Sequence, residues 1–209
     1  MQFKPIAGIA VKSFKYFDAV FFAKFLLLFL FLYYFNILYL GITSPGGKFY
    51  SSFLKEHLNY ISWLTSSILY VSDIIDHAFG IHSYVENAYQ IKTSAGSSVT
   101  VWLPCLGLGI MSFWIAFVAT DTGSWKKKLY WGLAGIVAIW FINCWRIALL
   151  LLAVEKDWYK NPIIDHHTMF NIVSYIIILL MIWLYYKAGK KETTGNNFPA
   201  GKTFSSAAS

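Results

Sequence analysis

The chain has 209 residues, 57% of them hydrophobic and 20% aromatic, and only 13% carry a charge. That is more apolar surface than a soluble domain of this size can hide, so the composition describes a membrane protein and the length one membrane domain. The formal charge of +7 is no sign of nucleic-acid binding, because the lysines sit in short clusters beside apolar stretches, where they orient helices in a bilayer.

Phe25 to Ile42 ("FLLLFLFLYYFNILYLGI") predicts a first spanning helix, closed by "TSPGG", where Pro45 and two glycines break helical structure. It is long enough to span and no small-residue cleavage site follows it, which reads as an anchor and not a removed signal. His57 to Ile81 is a weaker apolar segment holding Asp73, Asp76 and His77. It is either a span with a polar end or an interfacial helix. "AYQIKTSAGSSVTVWLPC" alternates with period two around a Gly/Ser turn and predicts an extracytoplasmic β-hairpin-like loop leading into the next helix. Pro104 to Thr120 is a short span that opens with proline at a favoured first-turn position. Tyr130 to Ala153 and His167 to Tyr186 are two more spans, and the polar tail from Lys190 reads as disordered. The expected architecture is an all-α polytopic membrane protein of about five transmembrane helices, with one domain over residues 1–189, a tail over 190–209 and no internal repeat.

Lysines set the expected orientation. "WKKKLYW" precedes the fourth span and "KAGKK" follows the fifth, so both belong on the cytoplasmic side. Cys105, Arg146 and the start of the fifth span then share the outer side. Counting back through five spans puts the N-terminus outside, whereas Lys4, Lys12, Lys15 and Lys24 argue for inside. Either His57 to Ile81 does not cross, or the N-terminal stretch adds a membrane element.

The most apolar part of the chain carries "NCWRIALLLL". A guanidinium in hydrocarbon costs from about 2.5 to well over 10 kcal/mol, so Arg146 needs compensation. It has two routes: snorkelling to the interface or pairing with Glu155, Asp157 or Asp165, or else holding the negative charge of a reaction. Asn143 lies one turn earlier on the same face and can hold the guanidinium or a substrate. Cys105 follows Pro104 in what reads as a helix first turn, where unpaired amides favour a thiolate, although a small apolar filler is the plainer reading of a lone cysteine. His166 and His167 follow Asp165. "DHH" invites a metal, with His57, His77 or His82, but the spacing matches no zinc helix motif, and neither a metal nor another cofactor is expected. Cys144 reads as packing, and two cysteines make no disulfide scaffold.

Taken in order, an outer-face cysteine in "CLGL", an N-x-x-R as "NCWR" and a histidine opening the last span as "HTMFN" resemble the exosortase/archaeosortase family. Its members are polytopic membrane cysteine proteases and transpeptidases that process C-terminal sorting signals of exported proteins. The resemblance runs over roughly Ala88 to Tyr186 and implies Cys105 as nucleophile, Arg146 as stabiliser of thiolate or oxyanion, and His167 as proton carrier, supported by Asn143, His166 and Asn171. Two positions depart from the family pattern: Asn171 stands where glycine is common, and Leu106 where Cys-Ser-Gly is frequent. It further implies a bacterial inner membrane, an active site near the periplasmic face, and a lipid or glycan amine as acceptor where the acyl group is transferred. Two other classes compete. "HTMFN" matches the H-x-x-x-N of CAAX-type intramembrane metalloproteases, whose Glu-Glu-x-x-x-Arg motif this chain lacks, and a non-catalytic transporter or assembly factor would use Arg146 to bind an anion.

Overall fold

Helix α1 (Ala19–Thr43) is followed by the short α2 (Ser52–His57) and by α3 (Tyr60–Ala78). Strands β1 (Ser83–Asn87), β2 (Gln90–Thr93) and β3 (Ser98–Thr100) come next. A 3-10 turn (Leu103–Leu106) then leads into α4 (Leu108–Thr120), α5 (Trp125–Glu155) and α6 (His166–Gly195). The computed structural model describes residues 19–47, 49–156 and 166–195. The chain divides into two compact units, Met1–Ile164 and Asp165–Ser209.

α1 and α5 have the length and hydropathy to cross a bilayer, and α4 and the 172–188 part of α6 are shorter apolar helices. Where the sequence led one to expect about five spans, the described residues hold two long and two shorter apolar helices. α1 leaves Leu27, Phe31 and Tyr34 mostly exposed; an apolar surface of this extent is stable against acyl chains and not against water. The tail expected to begin at Lys190 is helical as far as Gly195.

Side-chain contacts fix the helix directions. Phe21 meets Phe117 and Phe25 meets Phe113, while Asn36 Nδ2 donates to Ser112 Oγ at 3.0 Å, so α1 and α4 are antiparallel. Trp114 Nε1 donates to the Trp131 carbonyl at 3.0 Å and Asn143 Nδ2 to the Leu106 carbonyl at 3.4 Å, which makes α4 antiparallel to α5. Trp140 Nε1 donates to Ser67 Oγ at 3.0 Å, and the Ser72 hydroxyl reaches the Cys144 carbonyl at 2.9 Å. α3 therefore runs parallel to α5 and, through α4, in the same direction as α1. Lys24 lies at the same end of the unit as Lys126, Lys127 and Lys128.

Between α1 and α3 lies only α2, six residues long and therefore about 9 Å in rise. Ser51 caps α2 through the Leu54 N–H, and Asn59 caps α3 through the Ser62 N–H. The Tyr60 hydroxyl donates to Asn36 Oδ1 at 2.6 Å and the Tyr39 hydroxyl to the Leu58 carbonyl. α3 thus starts abreast of Asn36, roughly 10 Å short of the Thr43 end of α1.

The expected hairpin is present as β2–β3, and β1 adds a third antiparallel strand in the order β1-β2-β3. Ile91 and Val99 face inward as a cross-strand pair, the alternation that β-branched residues favour on a half-buried sheet. Thr93 Oγ1 donates to Glu155 Oε2 at 2.8 Å, so the sheet caps the C-terminal end of α5. The chain leaves β3 directly into the 3-10 turn.

Candidate active site

Cys105 does not occupy the first turn of an α-helix, as the sequence led one to expect. It lies in the 3-10 turn Leu103–Leu106, with its N–H donating to the Trp102 carbonyl at 2.8 Å. Gly107 then takes the left-handed conformation, φ +70°, before α4 begins at Leu108. The apolar run is continuous across this point, but the backbone is not. Glycine is required twice over here. Other residues resist the positive φ, and a Cβ on Gly107 would stand 2.2 Å from Asn143 Nδ2.

Asn143 uses that space. Its amide donates to the Leu106 carbonyl at 3.4 Å and to the Ile139 carbonyl at 3.0 Å, so α5 is tied to the residue that follows Cys105. Arg146 lies one turn further along the same face of α5. It is buried, 8% exposed. At 1.5 Å per residue it sits about 13 Å short of Glu155, deeper than a helix ending at Ala153 implies. Of the partners the sequence offered, Glu155 is taken by Thr93, and Asp157 and Asp165 lie outside the described residues. Among the described residues, neither ion pair involves Arg146 and no hydrogen bond reaches it. Among the described residues its guanidinium is a donor set without a protein acceptor, on a residue that is otherwise buried.

Cys105 is also buried, and both cysteines are free thiols. Cys144 is fully buried inside α5, the packing position expected of it. His166 opens α6, and the side chains of His166, His167 and Asn171 lie outside the described residues. Among the described residues no three His, Cys, Asp or Glu side chains gather to hold a metal.

Sequence reasoning passed over three residues at this junction. Gly107 allows the approach of α5, and Ser72 joins α3 to α5 through the Cys144 carbonyl. The third, Asp76, is fully buried on α3. The available signal was the period of α3: Ile61, Thr65, Ile68, Leu69, Ser72 and Asp76 form one buried stripe.

These features have a counterpart among known proteins: the family model described as Transmembrane exosortase (Exosortase_EpsH) matches residues 8–184. The chain belongs to the transmembrane exosortase family. No curated protein and no solved structure matches it at a significant level. The exosortase match runs from ahead of α1 into α6, so it takes in the anchor helix, the sheet and the Cys105–Arg146 region together. Membership makes this a membrane protein of a peptidase and transpeptidase class.

Proposed function

We propose that this exosortase cleaves the C-terminal sorting signal of exported proteins through a thioester on Cys105, with Arg146 holding thiolate and oxyanion and His167 carrying protons, supported by Asn143, His166 and Asn171. The observation that carries the reading is the bond from Asn143 to the Leu106 carbonyl. It fixes the turn bearing the thiol against the helix face that bears Arg146, a buried residue whose guanidinium has no acceptor among the described residues. A buried donor aimed at a developing oxyanion is worth about 3 to 4 kcal/mol of barrier, and that charge is the compensation Arg146 otherwise lacks.

The scissile carbonyl is attacked by sulfur, and the departing amine takes up a proton. Water then completes proteolysis, or an amine of a lipid or glycan completes transpeptidation. Tyr84, Tyr89 and Trp102 are exposed on the segment that leads to the nucleophile, which supports residues 84–102 as the reader of the sorting motif. We place the protein in the bacterial inner membrane with this site near the periplasmic face.

Helix directions support three crossings in the first unit, α1, α4 and α5, with α3 entering from the outer side, and the apolar run of residues 172–188 supports a further one in α6. A second consecutive crossing in the direction of α1 would need a return path, and α2 is too short to provide one. Lys24 and the lysines at the start of α5 then fall inside. Lys55→Cys, in a background lacking Cys105 and Cys144, should react with a membrane-impermeant maleimide from the periplasmic side, whereas Lys127→Cys should not. The nucleophile is tested by covalent capture with a thiol-reactive substrate analogue: Cys105→Ala abolishes capture, and capture that persists refutes the assignment. Turnover insensitive to chelators separates this chemistry from that of a metalloprotease.

A further inference from the structure

Two bonds define one layer of the unit: Ser72 to the Cys144 carbonyl and Asn143 to the Leu106 carbonyl. α3, α5 and the 3-10 turn meet there. The next layer toward the sheet carries Cys105, which precedes Leu106, and Arg146, three residues past Asn143. It also carries Asp76, four residues past Ser72 on the same buried stripe. Asp76 is completely buried, and neither of its carboxyl oxygens has a hydrogen-bond partner.

Its neighbours on α3 are committed elsewhere. Asp73 accepts a hydrogen bond from Ser83 Oγ at 2.5 Å and pairs with His77 Nδ1 at 3.5 Å. Arg146, the cation that α5 brings to this layer, forms no ion pair with Asp76. A carboxylate buried without a partner is costly, so the neutral acid is the favoured form in the resting site. That form also suits the nucleophile, since a second anion in the layer would disfavour the thiolate.

We infer that Asp76 is a further acid–base residue of this site, supplying the proton that the scissile amine needs in order to leave. This rests on the thioester reading above. The thiolate adds to the carbonyl carbon. As the C–N bond breaks, the Asp76 carboxylic acid gives its proton to the nitrogen, leaving thioester, free amine and Asp76 carboxylate. In the second half, water or an acceptor amine adds to the thioester carbon, the Asp76 carboxylate takes its proton, and the C–S bond breaks to return the thiolate. The proton lent in the first half is regained in the second. The histidine is then left to exchange a proton with the thiol.

The test separates leaving groups. Purified protein in detergent micelles is given p-nitrophenyl acetate, whose phenolate departs without a proton, and 4-nitrotrifluoroacetanilide, whose aniline requires one. Asp76→Asn should lower p-nitroaniline release by about 10²-fold or more and leave p-nitrophenol release within a few-fold. Asp76→Glu, which keeps an acid, should recover part of the anilide activity. An equal loss on both probes marks a structural role and overturns the inference, as does no loss on either. Should the Asn variant fail to fold, Asp76→Ser makes the same comparison. Cys105→Ala distinguishes the two levels. If it retains release from both probes, the thioester reading fails. If it is inactive while Asp76→Asn is indifferent to leaving group, only the role of Asp76 fails.

Discussion

The seam between α1 and α4 and the junction of α5 with its neighbours hold helices together by different means. Between α1 and α4 the contact is largely a run of rings, with Phe25 and Phe29 edge-on to Phe113 at 5.2 and 6.0 Å and Phe21 edge-on to Phe117 at 6.4 Å. Around α5 the contacts are hydrogen bonds to backbone carbonyls and side chains seated on glycines: Ser72 on Cys144, Asn143 on Leu106, Trp114 on Gly135. In a bilayer, apolar faces gain little by leaving lipid that is equally apolar, so a ring seam is graded and tolerant. Close backbone approach and polar bonds are discrete. They specify one register, and it is on this side of the unit that the thiol and the guanidinium lie.

The comparison is broken most directly at Gly135. A Cβ there would stand 1.8 Å from Trp114 Nε1, and Trp114, 1% exposed, has no room to retreat. Gly135→Ala should also weaken the bond from Trp114 to the Trp131 carbonyl. Overpacking of this kind costs about 1–3 kcal/mol, and the upper end is expected, read as an earlier midpoint in SDS titration of the micelle-bound protein. Gly107→Ala comes next. It forces a left-handed alanine, about 1–2 kcal/mol, and pushes Asn143 off the Leu106 carbonyl, so turnover should fall further than stability. In an Asn143→Ala background the clash disappears, and the two substitutions should cost less together than the sum of each alone. Strict additivity in that cycle would show that Asn143 and Gly107 do not share the space.

The ring seam was legible in the sequence, and the junction only in part. Phe25 to Ile42 announces a lipid-facing helix by composition alone, and α1 encloses it. Period-two alternation located β2 and β3, but β1 was hidden because Tyr84 to Asn87 are all exposed and leave no inward pattern. The candidate residues Cys105, Asn143 and Arg146 were chosen for chemistry that apolar surroundings make conspicuous. What the sequence concealed was geometry: "PCLGLG" reads as one helix start, whereas the structure breaks it at Gly107. Directions were hidden as well, because successive spans are assumed to alternate. α1 and α3 run the same way. Asp76 was visible as a polar residue but read as the wet end of a helix, since periodicity gives the buried face and not the depth.

Within the junction, Ser72→Ala sharpens the contrast at a smaller scale. It removes the hydroxyl shared between the Ile68 and Cys144 carbonyls and leaves helix-internal bonds intact. Such interhelical bonds average about 0.6 kcal/mol in membrane proteins, with a maximum of about 1.7. A loss near 1 kcal/mol is expected, together with a fall in turnover, because Asp76 is carried by the next turn of α3. A stability loss with unchanged turnover would separate the α3–α5 register from the site.

Phe25→Leu should be the mildest of the four. Phe25 stacks on Phe29 at 6.2 Å and meets Phe113 edge-on, and aromatic pairs are worth about 0.5–1.5 kcal/mol beyond the area they bury. Leucine keeps most of the contact surface and gives up only the ring geometry, while lipid solvates whatever the smaller side chain uncovers. The expected cost is at the bottom of that range, about 0.5 kcal/mol, with thiol capture and turnover unchanged. A loss larger than that of Ser72→Ala in the same titration would mean that ring packing also specifies register, so that the anchor helix helps to set the position of α4 and, through Gly107, of the cysteine-bearing turn.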